Sequence, residues 1–160
     1  MGKILEENVE KWFELSRSGQ FQEAKDFYFD VLFENVIDIF VENTKAKKVD
    51  VLFSVLGFTP EPIILTQRAL DAKTHVIFYT KNENNRFEKE INPYLEKYLT
   101  SEYKLVELAD ASFQTIYKTL SEQMKLLPAS EYAIDITGGK KSMVAAAAMF
   151  ARDFNFNVLY

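Results

Sequence analysis

The stretch Tyr132-Ala133-Ile134-Asp135-Ile136-Thr137-Gly138-Gly139-Lys140-Lys141-Ser142-Met143 decides how this chain folds. Its first five residues are a short apolar run carrying one acid, the pattern of a buried strand. Gly138-Gly139 ends that run. From Lys140 to Asp153 the composition is that of a helix, and Ala145-Ala146-Ala147-Ala148 gives it a surface small enough to pack closely on a sheet. A strand that turns through two glycines straight into a helix is one unit of an alternating α/β chain.

Working outward, the same unit recurs upstream. Val49-Asp50-Val51-Leu52-Phe53-Ser54 is an apolar strand, Gly57 to Pro60 a loop, and Pro62 suits the first turn of a helix to about Leu70. Thr74 to Tyr79 predicts a second strand and Lys81 to Asn85 a polar loop. A helical stretch then runs to Leu99, interrupted or kinked near Pro93. Tyr103 to Leu108 predicts a third strand, Ser112 to Leu126 an amphipathic helix stopped before Pro128, and Phe156 to Tyr160 a fifth strand. Near-continuously apolar strands separated by helices require a parallel sheet covered on both faces. Right-handed crossovers make it doubly wound. Residues 47–160 are therefore read as a Rossmann-like α/β domain of strand order 3-2-1-4-5.

Residues 1–46 read as a helical extension. Leu5, Val9, Trp12, Phe13 and Leu15 have helical spacing between Ile4 and Ser16, and Ser18-Gly19 breaks that helix. A second helix runs from about Gln20 to Thr44. Its acids Asp26, Asp30, Glu34, Asp38 and Glu42 recur every four residues, and the other positions from Phe27 to Val41 are almost all apolar. So wide an apolar face is buried on more than one side, against the core alone or also against a partner subunit. Trp12, Leu15, Gly19, Phe21 and Ala24 loosely resemble one tetratricopeptide hairpin, but such hairpins need about three copies and no second follows.

Composition narrows the chemistry. The chain has 160 residues, 48% hydrophobic and 27% charged, enough for one domain with a real core. With no cysteine and one histidine, His75, disulfides and thiolate or imidazole-rich metal sites are excluded, as is a Ser–His triad that His75 does not serve. A net charge of −5 argues against direct DNA binding, so any anion site is local. No signal peptide or long apolar run is visible, which fits a cytoplasmic chain. The chain stops on its last strand with nothing to cover it, so a longer native protein is expected.

In a doubly wound sheet, ligands bind beyond the carboxyl ends of the strands where the winding reverses. Here that point lies between strands one and four, whose following loops, Ser54 to Pro60 and Thr137 to Met143, are brought side by side. In the second loop, glycines let backbone N–H groups approach an anion. The helix it opens carries about half a positive charge at its start. Lys140 and Lys141 are unfavourable there unless an anion offsets them, and Thr137 and Ser142 add hydroxyls. The sum is a phosphate cradle. The plainer alternative is a tight turn with Thr137 as helix cap and two solvated lysines. A P-loop needs glycine where Ile134 stands, and the three spaced glycines of a dinucleotide site are missing. In the first loop, Ser54 offers a hydroxyl at the strand tip, Gly57 permits a turn, and Thr59-Pro60-Glu61-Pro62 stiffens the approach to the next helix.

Together these segments resemble the CARF family, the CRISPR-associated Rossmann-fold sensors of type III systems. The family pattern Asp-x-Thr-Gly-Gly-Thr-Lys-x-Met here reads Asp135, Thr137, Gly138, Gly139, Lys140, Lys141, Met143. Lys140 stands where many relatives carry threonine or another small polar residue. The first-loop pattern is met by Ser54, Gly57, Pro60, Glu61 and Pro62. The likeness covers roughly Val49 to Tyr160. It implies a two-fold dimer that binds a cyclic oligoadenylate across its axis. That ring is a second messenger of antiviral defence, and it switches on an attached effector. The effector, a nuclease or a membrane-tethered segment, lies outside this chain. By carry-over, Thr137, Gly138, Gly139 and Lys141 contact phosphate and ribose, with Lys140 adding charge. Ser54, Gly57 and Thr59 line the adenine or ribose side. Leu56, Pro60, Thr80 and Met143 complete the candidate ligand-binding set, which has no catalytic residue, no metal and no cofactor.

Three functions remain open on the sequence. A non-enzymatic sensor of cyclic tetra-adenylate ranks first. A metal-independent ring nuclease, using Lys141, Lys140, Thr137 and Ser54 for positioning, ranks second. An unrelated nucleotide-binding enzyme on the same fold ranks third. Among single residues, His75 reads as a strand-edge residue at the wrong end of the sheet to act as a base. Asp135 reads as an orienter of its loop. Tyr79, Thr80 and Asp110 lie at strand tips within reach of a ring.

Overall fold

The computed structural model describes residues 2–81 and 86–160. The chain divides into two compact units between Ala46 and Lys47.

In the first unit, α1 (Gly2–Arg17) is closed by Gly19 at φ +80°, which lets the Gln20 N–H reach back to the Leu15 carbonyl at 3.0 Å. The long second helix is continuous but not uniform. α2 (Phe21–Phe27) passes through a π turn, Tyr28–Leu32, into α3 (Phe33–Thr44). The acid stripe gives a reason for the wider turn. Acids four residues apart drift by about 40° per step on an α-helix of 3.6 residues per turn. A π turn winds more slowly and takes back part of that drift. Asp26, Asp30, Glu34, Asp38 and Glu42 all stay exposed. Phe29, Leu32, Phe33 and Ile37 are buried, with Tyr28 edge-on to Phe33 at 5.7 Å.

The second unit is the expected doubly wound sheet. Its strands β1 (Val51–Val55), β2 (Thr74–Thr80), β3 (Glu102–Leu108), β4 (Tyr132–Asp135) and β5 (Asn157–Leu159) lie in the order β3-β2-β1-β4-β5, all parallel. β1 is central and buried throughout. Side chains alternate between faces along each strand. Val51, Phe53, Val55, Val76, Phe78 and Ile134 pack in one core with Ile116 and Leu120 of α6 (Phe113–Leu126) and with Met143, Ala146, Ala147 and Phe150 of α7 (Lys141–Phe154). Phe53 meets Phe78 at 5.2 Å and Phe156 at 5.5 Å. The small alanines of α7 let its backbone come close enough for Phe150 to reach this aromatic group.

The opposite face, which includes Leu52, Ser54, His75, Ile77, Ala133 and Asp135, lies beneath α4 (Glu61–Leu70), whose Thr66 bonds to Asp135. The crossover from β1 to β2 and the one from β3 to β4 therefore run over opposite faces, and the winding reverses between β1 and β4.

Some boundaries move from the sequence expectation. The fifth strand spans Asn157–Leu159, because Asn155 closes α7 in the left-handed region and Phe156 turns into the core. The kink expected near Pro93 is a second π turn, Phe87–Ile91, directly before α5 (Asn92–Tyr98). Proline has no N–H to give the preceding turn, and the wider turn absorbs its ring. The polar loop expected at Lys81–Asn85 lies, for residues 82–85, outside the described residues. Among the described residues no helix is long and apolar enough to cross a membrane.

Candidate functional site

The loops after β1 and β4 do more than lie side by side; they touch through backbone. A Cβ built on Gly57 falls 2.6 Å from the Gly139 nitrogen and 3.2 Å from the Gly138 Cα. One built on Gly138 falls 2.8 Å from the Val55 carbonyl oxygen and 2.9 Å from the Gly57 nitrogen. Neither position has room for any side chain. Gly139 is held at φ +92°, a conformation that glycine adopts without strain. The glycines thus lock the two strand tips together at the switch point.

α7 begins immediately beyond. Lys140 is its N-cap, extended at φ −73° and ψ 157°, and makes no side-chain capping hydrogen bond. α6 is different: there the Ser112 hydroxyl accepts the Thr115 N–H at 3.3 Å. Thr137 does not cap α7, because Lys140 stands at the N-cap position, while both lysines are exposed as the plainer account has them. The Thr137 N–H donates to Asp135 Oδ1 at 2.9 Å. The first turn of α7 holds no acid, while Thr137, Lys140, Lys141 and Ser142 are all exposed. Two ammonium groups and the Ser142 hydroxyl therefore share one helix start that no acid offsets, an arrangement suited to an anion.

Asp135 holds this loop from below, as the sequence suggested. It is 1% exposed; Oδ1 accepts from Thr137 and Oδ2 from the Thr66 hydroxyl of α4 at 2.9 Å. Burial raises its pKa, against the lowering pull of these hydrogen bonds. A carboxyl with a raised folded-state pKa stabilises the fold most below its unfolded value, and loses that contribution as pH rises through the folded value. Two outcomes follow for urea unfolding at pH 7. Asp135→Ala strands the Thr137 N–H and lowers stability by about 1–3 kcal/mol. Asp135→Asn accepts from Thr137 through its amide oxygen and donates its N–H to the Thr66 hydroxyl, whose proton turns to the Pro62 carbonyl at 2.9 Å, so without the buried charge it is at least as stable as the native chain.

Ser54 occupies a different place from the one its strand-tip position suggested. It is fully buried, and its hydroxyl shares a 2.9 Å hydrogen bond with His75 Nε2. The parallel register sets Leu52 beside His75 and Ser54 beside Ile77, so the two polar side chains meet diagonally under α4. His75 is correspondingly an interior residue, 0% exposed, and desolvation lowers its pKa to about 3. It is neutral near pH 7 and enclosed, so it is no base for chemistry at the loops. Thr66, which anchors Asp135, was not singled out from the sequence. Its signal was a hydroxyl among the apolar residues Ile63, Ile64, Ala69 and Leu70 of one helix.

The remaining candidates divide by exposure. Gly57 and Thr80 are partly exposed and Thr59 is exposed, at the carboxyl edge of the sheet. Leu56, Pro60 and Met143 are buried and shape the loops from inside: the Leu56 N–H extends the ladder to the Phe78 carbonyl at 2.8 Å, and the Pro60 carbonyl accepts from Ile64 at 3.1 Å. Tyr79 stacks on Phe87 at 4.2 Å. Asp110 accepts the Ser112 N–H at 2.7 Å at the turn before α6, and hydrogen bonds from the Ser112 hydroxyl first and its N–H second lower its pKa.

A five-stranded, doubly wound parallel sheet in the order β3-β2-β1-β4-β5 defines a Rossmann-like α/β domain. Similar solved structures are more particular. Over 69% of this chain and 31% of its own length, Can2 from Sulfobacillus thermosulfidooxidans, in complex with cyclic tetra-adenylate, matches with a TM-score of 0.58 and 18% identity. Csm6 from Enterococcus italicus, bound to cyclic hexa-2'-fluoro-hexa-dAMP, matches over 69% of this chain and 32% of its own, with a TM-score of 0.51 and 15% identity. Protein VC1899 from Vibrio cholerae matches over 68% and 30%, with a TM-score of 0.54 and 12% identity. In fold, the chain matches the CARF domains of Can2 and Csm6. It spans about a third of the length of these solved chains. No family model and no curated protein matches the sequence.

Proposed function

We propose that this chain is a sensor module that binds a cyclic oligoadenylate, cyclic tetra-adenylate first, between two copies of itself. In doing so it controls an effector of type III CRISPR antiviral defence that lies outside the chain. The observation that carries this reading is the packing of Gly57 on Gly138 and Gly139, which presents the open start of α7 with Lys140 and Lys141 at the sheet's switch point. A ring of phosphodiesters suits such a start when a two-fold axis brings two of them together, each copy lending the same loop. Thr137, the Gly138–Gly139 backbone, Lys140 and Lys141 hold phosphate and ribose; Gly57 and Thr59 border the nucleoside side. Ser54, Leu56, Pro60 and Met143 support the loops, and Thr80 flanks them. Charge-assisted hydrogen bonds contribute about 1.5–3 kcal/mol each, so a few residues per copy suffice for tight binding.

Calorimetric titration tests this directly. The expected result is saturation at one ring per two chains, with Lys141→Ala losing about tenfold or more in affinity. Absence of heat with both the tetra-adenylate and the hexa-adenylate ring would end the proposal.

A further inference from the structure

We infer that Phe58 is a stacking platform for an adenine of the ligand. This role rests on the phosphate reading of the neighbouring loops and adds base recognition to it. Phe58 is 68% exposed, at the tip of a loop in which Thr59 is also exposed while Leu56 and Pro60, two residues to either side, are buried. The loop is therefore well anchored, and the ring is turned outward from an ordered base. It follows Gly57, the residue pressed against Gly138 and Gly139, so the aromatic side chain leaves the backbone one residue from the phosphate-facing turn. A nucleotide whose phosphate sits at the turn would then have its base on the side of this ring.

Arg86 supports the same role. Its guanidinium lies over the Phe58 ring, 5.8 Å from the centroid, and its Nε donates to Glu90 at 2.7 Å. A cation held against an aromatic ring steadies it. At 68% exposure most of the Phe58 surface still faces water, and covering it with a purine face is favourable. Stacking of this kind is tolerant of base identity, so selection of adenine falls to the hydrogen-bonding groups around it.

The test compares binding of cyclic tetra-adenylate and cyclic hexa-adenylate to the native chain and to Phe58→Ala, Phe58→Leu and Phe58→Trp, with the size of each protein measured by light scattering. Phe58 is exposed, so the variants retain the fold. Phe58→Ala and Phe58→Leu are expected to weaken binding about tenfold or more, Phe58→Trp to keep it, and all to keep the oligomeric state. If the native chain binds a ring and Phe58→Ala binds it equally well, the stacking role is wrong and the phosphate reading stands. If the weakened variants instead fall apart into single chains, Phe58 is a subunit contact and the stacking role is wrong. If the native chain binds neither ring, both readings fall.

Discussion

Replacing Gly57 with alanine is expected to weaken cyclic oligoadenylate binding at least about a hundredfold and to destabilise the sheet unit by about 1–3 kcal/mol. The cause is steric. The added carbon lands 2.6 Å from a backbone nitrogen of Gly139, which no side-chain rotation relieves. One loop must lift from the other, carrying the first turn of α7 out of alignment with the strand-one tip. Losing two charge-assisted hydrogen bonds to phosphate is enough for the stated fall in affinity. Gly138→Ala acts on the same contact from the other side, 2.8 Å from the Val55 carbonyl oxygen and 2.9 Å from the Gly57 nitrogen. The two substitutions are therefore expected not to add: once either has parted the loops, the second meets open space. Full additivity of both the stability and binding losses in the double variant would mean that the loops are not coupled through these glycines.

The second large effect is one of pH. His75 is enclosed beneath α4 and its pKa falls from an ordinary 6.5 to about 3 in the folded state, through desolvation. The sign follows from which state takes the proton. Below pH 6.5 the unfolded chain binds a proton at this imidazole that the folded chain refuses until about pH 3. The stability contributed by neutral His75 is thus present above 6.5 and lost as pH falls towards 3. Between pH 7 and pH 4 this single group removes about 3 kcal/mol. Asp135 works in the opposite direction, since its raised pKa favours the acid side. Asp50 works with His75: its hydrogen bond from Lys73 and those from the Glu131 and Ser130 backbone lower its pKa, and this stabilisation is lost at acid pH. Urea unfolding at pH 7 and pH 4 separates them. His75→Gln is expected to be less stable at pH 7 but to lose about 3 kcal/mol less on acidification than the native chain. Parallel losses in the two proteins would contradict the burial of a neutral imidazole.

The sheet was legible because its strands are almost unbroken apolar runs. Val51-Leu52-Phe53 and Ala133-Ile134 can only be covered on both faces, and that demands a parallel, doubly wound order. The same order put the two glycine loops together before any contact was visible. The reason for the glycines was less legible. In the sequence, Gly57 reads as a turn and Gly138 as an opening for an anion; in the fold they are the two sides of a backbone contact, and of the three loop glycines Gly139 alone has a positive φ. Ser54 and His75 illustrate a different limit. In the sequence each reads as lying near an end of its strand, and so as marginal. The register between β1 and β2 brings them together beneath α4, and a register is a property of pairing that one strand alone does not specify. The π turn at Tyr28–Leu32 escaped notice because a four-residue acid spacing is also compatible with an ordinary helix that drifts. Phe58 went unremarked for a similar reason. A lone aromatic in a loop carries meaning only once its exposure is known.

A crystal structure of this chain grown with cyclic tetra-adenylate tests the central claim most directly. The account predicts one ring on a two-fold axis, its phosphates within hydrogen-bonding distance of the Gly138–Gly139 backbone and of Lys141 from both copies. A ring bound elsewhere, or Lys140 and Lys141 turned to solvent with no second copy of the loop nearby, would contradict it.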